Sequence, residues 1–420
     1  MKKNIFYAQS GGVTPVINAT AAGLIDYLSN HRSFFGKLYM GKNGIAGALK
    51  EELIDISLES KAELKKLIHT PGGAFGSCRI KLRDPIKNNR EFHRILEVFK
   101  AHNIGYFFNN GGGDSQDTTL KISNYCKKNG YDLVCIGLPK TIDNDLPVTD
   151  NCPGFGSVAK YIATSTYEAS LDVASMANSS TKVFLLEVMG RHAGWLAASA
   201  GVIRDDKSMP PHLILLPEVV FNEKRFLSEV KKTVSKYGYC VVVASEGIRD
   251  KSNRFIASST SKDSFGHAHL GGVAPKLANI ISNKLSYKVH WAVSDYLQRA
   301  ARHIGSSVDV EQAYAIGYKA LEYAKKGING VMLTIKRKKT KTYKWEIQYT
   351  KLENVANVEK ELPAKFIAKD GFGITSSCKN YIRNLIVGED YPPYKNGVPI
   401  YARLSHPLVK KRLKRFIVNL

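Results

Sequence analysis

The chain has 420 residues, enough for two domains, and its 44% hydrophobic and 23% charged residues are typical of a globular protein and exclude a disordered one. Lysine and arginine (61) outnumber aspartate and glutamate (37), which gives a formal net charge of +24. The basic residues are spread along the chain, with dense runs only at 336–341 and 410–415. This pattern favours a small polyanionic ligand over a specific nucleic-acid partner.

The cysteines and the hydropathy indicate a cytoplasmic protein. The six cysteines form no Cys-x-x-Cys pair, and Cys135 and Cys240 lie in apolar, strand-like runs, as free thiols in a reducing compartment do. No apolar stretch approaches the length of a membrane span, and the first residues lack the apolar segment of a signal peptide. We therefore expect no membrane partner.

The first 145 residues alternate apolar runs, small-residue loops and helical patterns. The runs 5–8, 104–108 and 133–138 predict buried strands, and a helix is predicted from Pro15 onward. The glycine-rich loops are 9–14, 39–44, 70–79 and 109–119. A strand, a glycine turn and a helix can present backbone N–H groups to a phosphate, although glycines also end strands for steric reasons. The alternation predicts a doubly wound parallel sheet whose loops gather at one edge.

A second set of elements begins near residue 151. Strands are predicted at 182–188, 213–216, 240–244 and 331–334, helices at 157–176, 276–285 and 309–325, and a hairpin through the first basic run. The fold class is therefore α/β, with two doubly wound, mostly parallel, Rossmann-like domains and an active site in the cleft between them. We assign 1–150 and about 300–400 to the first domain, and 151–299 with the carboxyl-terminal tail to the second.

The heptapeptide 139–145 carries the most chemistry. In an extended loop after the 133–138 strand, Thr141, Asp143 and Asp145 face the same side, and Lys140 adds a cation beside them. Ligands bind at the carboxyl ends of strands in open α/β sheets. An ordinary Asn/Asp turn is the alternative interpretation of this stretch.

Six ordered motifs resemble those of the phosphofructokinases, within them the pyrophosphate-dependent branch. They are Ser10–Gly12, Gly76–Arg79, Gly111–Ser115, Pro139–Asp145, Met189–Arg191 and Tyr296–Arg299. The resemblance runs from residue 4 to about residue 405, and it implies that the first domain is a phosphoryl-donor domain and the second a sugar-phosphate domain. It implies reversible phosphoryl transfer from pyrophosphate to the 1-hydroxyl of fructose 6-phosphate in glycolysis or gluconeogenesis, with Mg²⁺, by a homodimer.

The resemblance also implies roles for individual residues. Asp143 takes the place of the base for the 1-hydroxyl, Thr141 orients that hydroxyl, and Asp145 helps to hold Mg²⁺. The expected fructose 6-phosphate contacts are Thr141, Ile142, Asp143, Lys182, Met189, Gly190, Arg191, Glu246, Tyr296 and Arg299, with Lys182 reaching a neighbouring subunit's substrate and Arg299 on the 6-phosphate. The expected pyrophosphate contacts are Gly11, Gly12, Arg79, Lys81 and Lys140.

Asp114 and Lys140 favour pyrophosphate over ATP as the phosphoryl donor. ATP-using relatives carry glycine at the positions of Asp114 and Lys140. The carboxylate of Asp114 would lie against a nucleotide's α-phosphate, which has the same charge, and it would also fill the space that the phosphate needs. Such a contact costs several kcal/mol of binding free energy, and each increment of about 1.4 kcal/mol lowers the affinity tenfold. The ammonium of Lys140 can neutralise charge on the transferring phosphoryl group. We therefore count Asp114 and Lys140 among the catalytic residues, with Asp143 and Thr141.

Two positions depart from the family pattern. Gly113 stands where an acidic residue usually contributes to the magnesium loop, so we expect at most a backbone or water-mediated contact there, with Asp145, water and phosphates holding the ion. His290 stands where many relatives have an arginine that crosses to the next subunit, which leaves that contact in doubt.

Two alternatives and one weaker candidate remain open. An ATP-dependent 6-phosphofructokinase would be distinguished by the donor that sustains product formation. A non-catalytic regulatory subunit of the same fold would keep sugar-phosphate binding, although intact Asp143, Asp145 and Arg299 disfavour it. A dinucleotide oxidoreductase is disfavoured because no Gly-x-Gly-x-x-Gly opens a helix after the first strand.

Overall fold

The computed structural model describes residues 2–82, 84–86, 88–262 and 268–418. Its strands are β1 (Asn4–Gln9), β2 (Leu38–Gly41), β3 (Leu53–Asp55), β4 (Ile104–Gly111), β5 (Val134–Pro139), β6 (Val183–Val188), β7 (Leu213–Leu215), β8 (Cys240–Ser245), β9 (Ser258–Lys262), β10 (Ala268–Leu270), β11 (Val289–Val293), β12 (Val331–Arg337), β13 (Trp345–Lys351), β14 (Tyr394–Lys395) and β15 (Val398–Pro399).

The helices alternate with these strands along most of the chain. They are α1 (Ile17–Asn30), α2 (Ile45–Lys50), α3 (Lys61–Lys65), α4 (Arg90–Ala101), α5 (Gly113–Lys128), α6 (Phe155–Met176), α7 (Trp195–Ser199), α8 (Glu223–Tyr237), α9 (Val273–Leu285), α10 (Asp295–Ala300), α11 (Ser307–Lys325) and α12 (Ser376–Arg383). Among the described residues, no helix has both the length and the apolar content needed to cross a membrane.

The larger sheet has seven strands in the order β13-β12-β5-β4-β1-β2-β3. Only its outer pairs, β12 with β13 and β2 with β3, are antiparallel. Side chains alternate across β1: Ile5 and Tyr7 pack with α1 and α11, whereas Phe6 packs with α4 and α5 on the opposite face. Helices therefore cover both faces, as predicted for a doubly wound sheet, and the predicted hairpin is β12–β13.

The smaller sheet has four parallel strands in the order β11-β6-β8-β7. One face packs on α6 and α7 through Val188 and Val243, and the other packs on α8 and α9 through Leu185 and Val242. Its continuous apolar strands are typical of a sheet buried on both sides. The edge strand β11, which the sequence did not reveal as a strand, is exposed over most of its length.

The carboxyl-terminal segments pack differently from the predicted assignment. Leu362, Phe366 and Ile382 join the core beside the smaller sheet, because their apolar side chains complete the layer formed by α6 and α7. The tail lies instead along β3 of the larger sheet, where the Val409 N–H donates to the Leu53 carbonyl at 2.8 Å. These contacts differ from the predicted assignment of about 300–400 to the first domain and of the tail to the second. The division of the chain into two domains stays a prediction.

Candidate active site

The polar loops meet because their strands are neighbours. β5, β4 and β1 are adjacent and parallel, so the loops that follow them open on one edge of the larger sheet. The Gly11 N–H donates to the Cys78 carbonyl at 3.0 Å, which brings the 70–79 loop to the same edge. The predicted gathering of glycine loops is therefore what the structure contains.

Three cations converge on Gly11 and Gly12. The Lys140 ammonium donates to the Gly12 carbonyl at 2.6 Å. A Cβ on Gly12 would lie 3.1 Å from Nη1 of Arg299 and 3.7 Å from Nη2 of Arg79, and a Cβ on Gly11 would lie 3.5 Å from the Lys140 ammonium. Gly11 also has a φ of +75°, which glycine adopts without strain. Glycine backbone and positive charge together form a site suited to a polyanion.

Lys140 is the most buried of these cations, with 4% of its surface exposed. Burial lowers the pKa of its ammonium to about 8, because the charged form loses its hydration. Asp145 and Asp143 act in the opposite direction, and Arg79 and Arg299 lower the pKa further. A bound anion would stabilise the charged ammonium, so anion binding and protonation of Lys140 would favour each other.

Lys81 and Asp114 form an ion pair at the start of α5. The Lys81 ammonium lies 3.1 Å from Oδ1 of Asp114, and both side chains are partly exposed. The sequence suggested separate roles for these residues and did not reveal the pairing. Because the ammonium offsets part of the carboxylate's charge, the charge repulsion predicted between Asp114 and a nucleotide would be weaker than the sequence alone suggests.

Asp143 lies among other carboxylates at the end of β5. Its N–H donates to the Thr141 hydroxyl oxygen at 3.1 Å, which fixes the turn. Burial, together with the negative charges of Asp145 and Glu246, raises the pKa of Asp143 to about 8, although Lys140 acts in the opposite direction. A carboxyl group with a pKa near neutrality can accept a proton from a hydroxyl more readily than an ordinary aspartate can.

Asp145 offers an unsatisfied oxygen. Its Oδ1 is buried and has no hydrogen-bond partner among the described residues, and burial raises the pKa of the carboxyl group. Such an atom fits a cation, because buried polar groups normally have partners. A Cβ on Gly113 would meet nothing within 4 Å, which leaves room for water. In the described ranges no three His, Cys, Asp or Glu side chains could hold a metal. Asp145, water and phosphate oxygens fit Mg²⁺.

The smaller sheet contributes the residues after β6 and β8. Gly190 has a φ of +134°, and its N–H lies 3.4 Å from Oε1 of Glu246. Burial raises the pKa of Glu246, and the nearby Arg191 lowers it. The Met189 N–H lies 3.3 Å from the Gln298 side-chain oxygen, which ties this turn to α10. The predicted residues after β6, after β8 and on α10 are therefore brought together.

Arg299 links the two sheets. Its guanidinium lies 3.8 Å from the ring centroid of Tyr296, while its Nη1 approaches Gly12 of the donor loop. Tyr296 is 62% exposed. Arg299 therefore lies beside Arg79 and Lys140 at the Gly11–Gly12 backbone.

Lys182, Ile142 and His290 lie outside this group of polar side chains. Lys182 precedes β6, at the opposite end of the strand from Met189, and donates to the Ala177 carbonyl of its own chain. Ile142 is buried in the core beside the smaller sheet, where it anchors the 139–145 loop. His290 is exposed on β11. Within one chain, neither Lys182 nor His290 joins the polar side chains at the carboxyl edges of the two sheets.

The sequence missed a segment that contacts the 139–145 loop. The Lys360 N–H donates to the Asp145 carbonyl at 2.6 Å. The charge of Glu359 raises the pKa values of Asp143 and Asp145, and its Oε2 lies 2.7 Å from Nδ1 of His192. No motif or periodicity marks residues 356–362, so only the three-dimensional fold reveals them.

A second missed contact comes from α12. Asn144 has a φ of +53°, and its side-chain amide donates to the Tyr381 hydroxyl at 3.0 Å, while its Oδ1 accepts from the Cys152 N–H at 3.0 Å. The Tyr381 hydroxyl donates in turn to the Asp150 carbonyl at 2.7 Å. These bonds hold the left-handed turn between the two aspartates of the 139–145 loop.

The fold and this site define a phosphoryl-transfer enzyme of the α/β class, and comparisons with known proteins identify the family. The phosphofructokinase family model matches residues 4–324. The pyrophosphate–fructose 6-phosphate 1-phosphotransferase of Methylococcus capsulatus is 56% identical over 98% of both chains. The enzyme of the same name from Halomonas elongata is 55% identical over 98% of this chain and 99% of that one.

Solved structures agree. The crystal structure of pyrophosphate-dependent phosphofructokinase from Marinobacter aquaeolei superposes with a TM-score of 0.91 and 55% identity, over 99% of this chain and all of that one. This chain belongs to the phosphofructokinase family.

Proposed function

We propose that this protein transfers a phosphoryl group from pyrophosphate to the 1-hydroxyl of fructose 6-phosphate, yielding fructose 1,6-bisphosphate and phosphate, and that it also catalyses the reverse reaction. The observation that carries this proposal is the convergence of Lys140, Arg79 and Arg299 on the Gly11–Gly12 backbone. The donor names of the relatives at 55–56% identity support the same conclusion.

The chemistry follows from the position of Asp143. Its carboxylate takes the proton of the sugar 1-hydroxyl as that oxygen forms a bond to the transferring phosphorus. The bond from this phosphorus to the bridging oxygen breaks, and phosphate leaves. Thr141 supports the loop that aims Asp143, and Lys140 stabilises the charge of the phosphoryl group. Bound Mg²⁺, held by Asp145, would neutralise further negative charge.

The sugar phosphate lies, in this proposal, against the smaller sheet. Glu246 accepts hydrogen bonds from sugar hydroxyls, and Met189, Gly190 and Arg191 line the pocket. Tyr296 and Arg299 contact the 6-phosphate. Lys81, which is paired with Asp114, borders the pyrophosphate, and Asp114 fills the space that a nucleotide would need.

We further propose a homodimer that buries β11. An edge strand with Trp291 48% exposed and Val293 39% exposed presents unpaired backbone groups and apolar surface, which proteins usually cover. In such a dimer Lys182, at the start of the adjacent β6, would reach the partner's substrate. The six cysteines form no disulfide, which suits a cytoplasmic location.

The donor is tested with purified protein, fructose 6-phosphate and Mg²⁺. Fructose 1,6-bisphosphate formation is measured with pyrophosphate and, separately, with ATP. We expect pyrophosphate to support a kcat/KM about 100-fold above that with ATP, which corresponds to roughly 2.7 kcal/mol, and EDTA to abolish the reaction. Equal or faster product formation with ATP would show that the donor assignment is wrong.

A further inference from the structure

A cleft of about 500 Å³ lies next to the 139–145 loop and outside the site described above. It is formed by the end of β12, the segment 360–366 and α12. None of its lining residues belongs to the predicted sugar-phosphate, pyrophosphate or metal contacts. Its volume is that of a site for a small molecule.

The cleft is positively charged. Arg337, Lys360 and Lys365 line it, and Asp150 is the acidic residue among them, so the lining carries two net positive charges. Asp150 accepts from Nε of Arg337 at 3.0 Å. Nη2 of Arg337 is buried and has no hydrogen-bond partner among the described residues. The guanidinium lies 4.4 Å from the ring centroid of Tyr343 and 4.9 Å from that of Tyr381, and its Nη2 keeps an unused donor at the wall of the cleft.

Lys360 is held by neutral oxygens. Its ammonium donates to the Thr149 carbonyl at 3.2 Å and to the Asp150 carbonyl at 3.1 Å. Lys365 is exposed at the rim. The side chain of Asn380 on α12 adds an amide donor. Cationic side chains with unused hydrogen-bond donors favour a ligand that is negatively charged and accepts hydrogen bonds. A tetrahedral phosphate dianion has both properties.

The residues of this cleft also hold the 139–145 loop. The Lys360 N–H bonds the Asp145 carbonyl, and the Tyr381 hydroxyl bonds Asn144 and Asp150. We propose that this cleft, which we call the basic cleft, binds a small phosphate monoester and that its occupancy alters turnover through the 139–145 loop. Binding is independent of the proposed function, whereas the effect on turnover rests on it.

The test uses glycerol 2-phosphate as the probe in calorimetric titrations of the full chain. Fructose 6-phosphate and methylenediphosphonate, a pyrophosphate analogue with no transferable phosphoryl group, are present at saturation to fill the proposed active site. We expect the unmodified protein to bind one equivalent and the variant Arg337→Gln/Lys365→Gln to bind at least tenfold more weakly. The control Lys339→Gln/Lys369→Gln removes the same charge from exposed lysines outside the cleft and should bind as the unmodified protein does.

Lys365→Glu is a second variant. Because Lys365 is exposed, this substitution should not disturb the fold, so misfolding would not explain a loss of binding. It should also bind at least tenfold more weakly. Absence of binding to the unmodified protein, or equal weakening in the Lys339/Lys369 control, would overturn the site. For turnover, the probe should change kcat at least twofold in the unmodified protein and the control, but not in Lys365→Glu. An equal response in all three, or none, would overturn the effect on turnover and leave the donor assay unaffected.

Discussion

The carboxyl edge of the seven-stranded sheet and the edge strand β11 of the four-stranded sheet differ in how many of their side chains have partners within the same chain. At the first, Lys140 is buried and bonded to the Gly12 carbonyl, and Lys81 is paired with Asp114. At the second, His290 and Trp291 on β11 are exposed. The proposed phosphoryl-donor side is thus assembled within one chain, whereas β11 leaves apolar surface exposed. The predictions below test this difference.

The largest effect is expected from Asp143→Asn. Removing the base while keeping the shape should lower kcat by roughly 10²–10⁴-fold, because general bases typically contribute that much. The measurement is steady-state kinetics with pyrophosphate, together with fructose 6-phosphate binding by calorimetry, which should persist. The exposed Asp172→Asn serves as the control. A loss of less than tenfold would contradict the assignment of Asp143.

The preference for pyrophosphate over ATP should change when Asp114 and Lys140 are both replaced. Lys140→Gly with Asp114→Gly should lower kcat with pyrophosphate by about 10²–10³-fold, the usual effect of losing a preorganised charge, and should admit some ATP as Asp114 no longer fills its space. Initial rates with both donors provide the measurement, and Lys81→Gln separates loss of the ion pair from loss of the carboxylate. Unchanged pyrophosphate turnover in the double variant would disprove the interpretation.

The smaller sheet should be sensitive to acid through His212. This buried imidazole accepts from the Val241 N–H at 3.0 Å, and burial lowers its pKa to about 4. The unfolded imidazole takes up a proton below its usual pKa of about 6.5, so unfolding binds a proton in this window and stability falls as pH falls. The loss approaches roughly 3 kcal/mol near pH 4.

His212→Gln should remove this part of the pH dependence. The free energy of unfolding of both proteins is measured by urea denaturation at pH 7 and at pH 4.5. The difference in this free energy between the unmodified protein and the variant should be smaller at pH 4.5. The exposed His93→Gln is the control. A constant difference across the two pH values would show that His212 does not titrate in this way.

The smallest effect concerns the two edge strands. Trp291→Glu on β11 should yield monomers in analytical ultracentrifugation and raise the KM for fructose 6-phosphate about tenfold, because one charge-assisted contact from Lys182 of the partner is lost. Tyr349→Glu places the same charge on β13, the edge of the larger sheet, where the tyrosine is 46% exposed. It should leave the oligomer unchanged. Dissociation of both variants, or of neither, would contradict the difference between the sheets.

Much of the fold could be predicted because its signals are local. The apolar runs of β1, β4, β5 and β8 and the glycine loops after β1 and β4 follow from residue type and spacing alone. The 139–145 loop was found in the same way. The strand β11 was missed because it is exposed and lacks an apolar run, and its place beside β6 depends on long-range pairing.

The missing parts of the site are long-range contacts. Glu359 and Lys360 approach the two aspartates from more than 200 residues further along the chain, and nothing in their neighbourhood repeats or alternates. The pairing of Lys81 with Asp114 joins two loops that the sequence treats separately. Short apolar stretches fit either core equally well, so the sequence does not show beside which sheet the carboxyl-terminal segments pack.

The bond between Asn144 and Tyr381 spans 237 residues and lies partly beyond the family match, which ends at residue 324. A minimal enzyme trimmed to that boundary would lose the hydroxyl that steadies the turn between its two aspartates. A chain shortened to residue 324 would therefore lose this support of the 139–145 loop, even though the six motifs from Ser10–Gly12 to Tyr296–Arg299 would still be present.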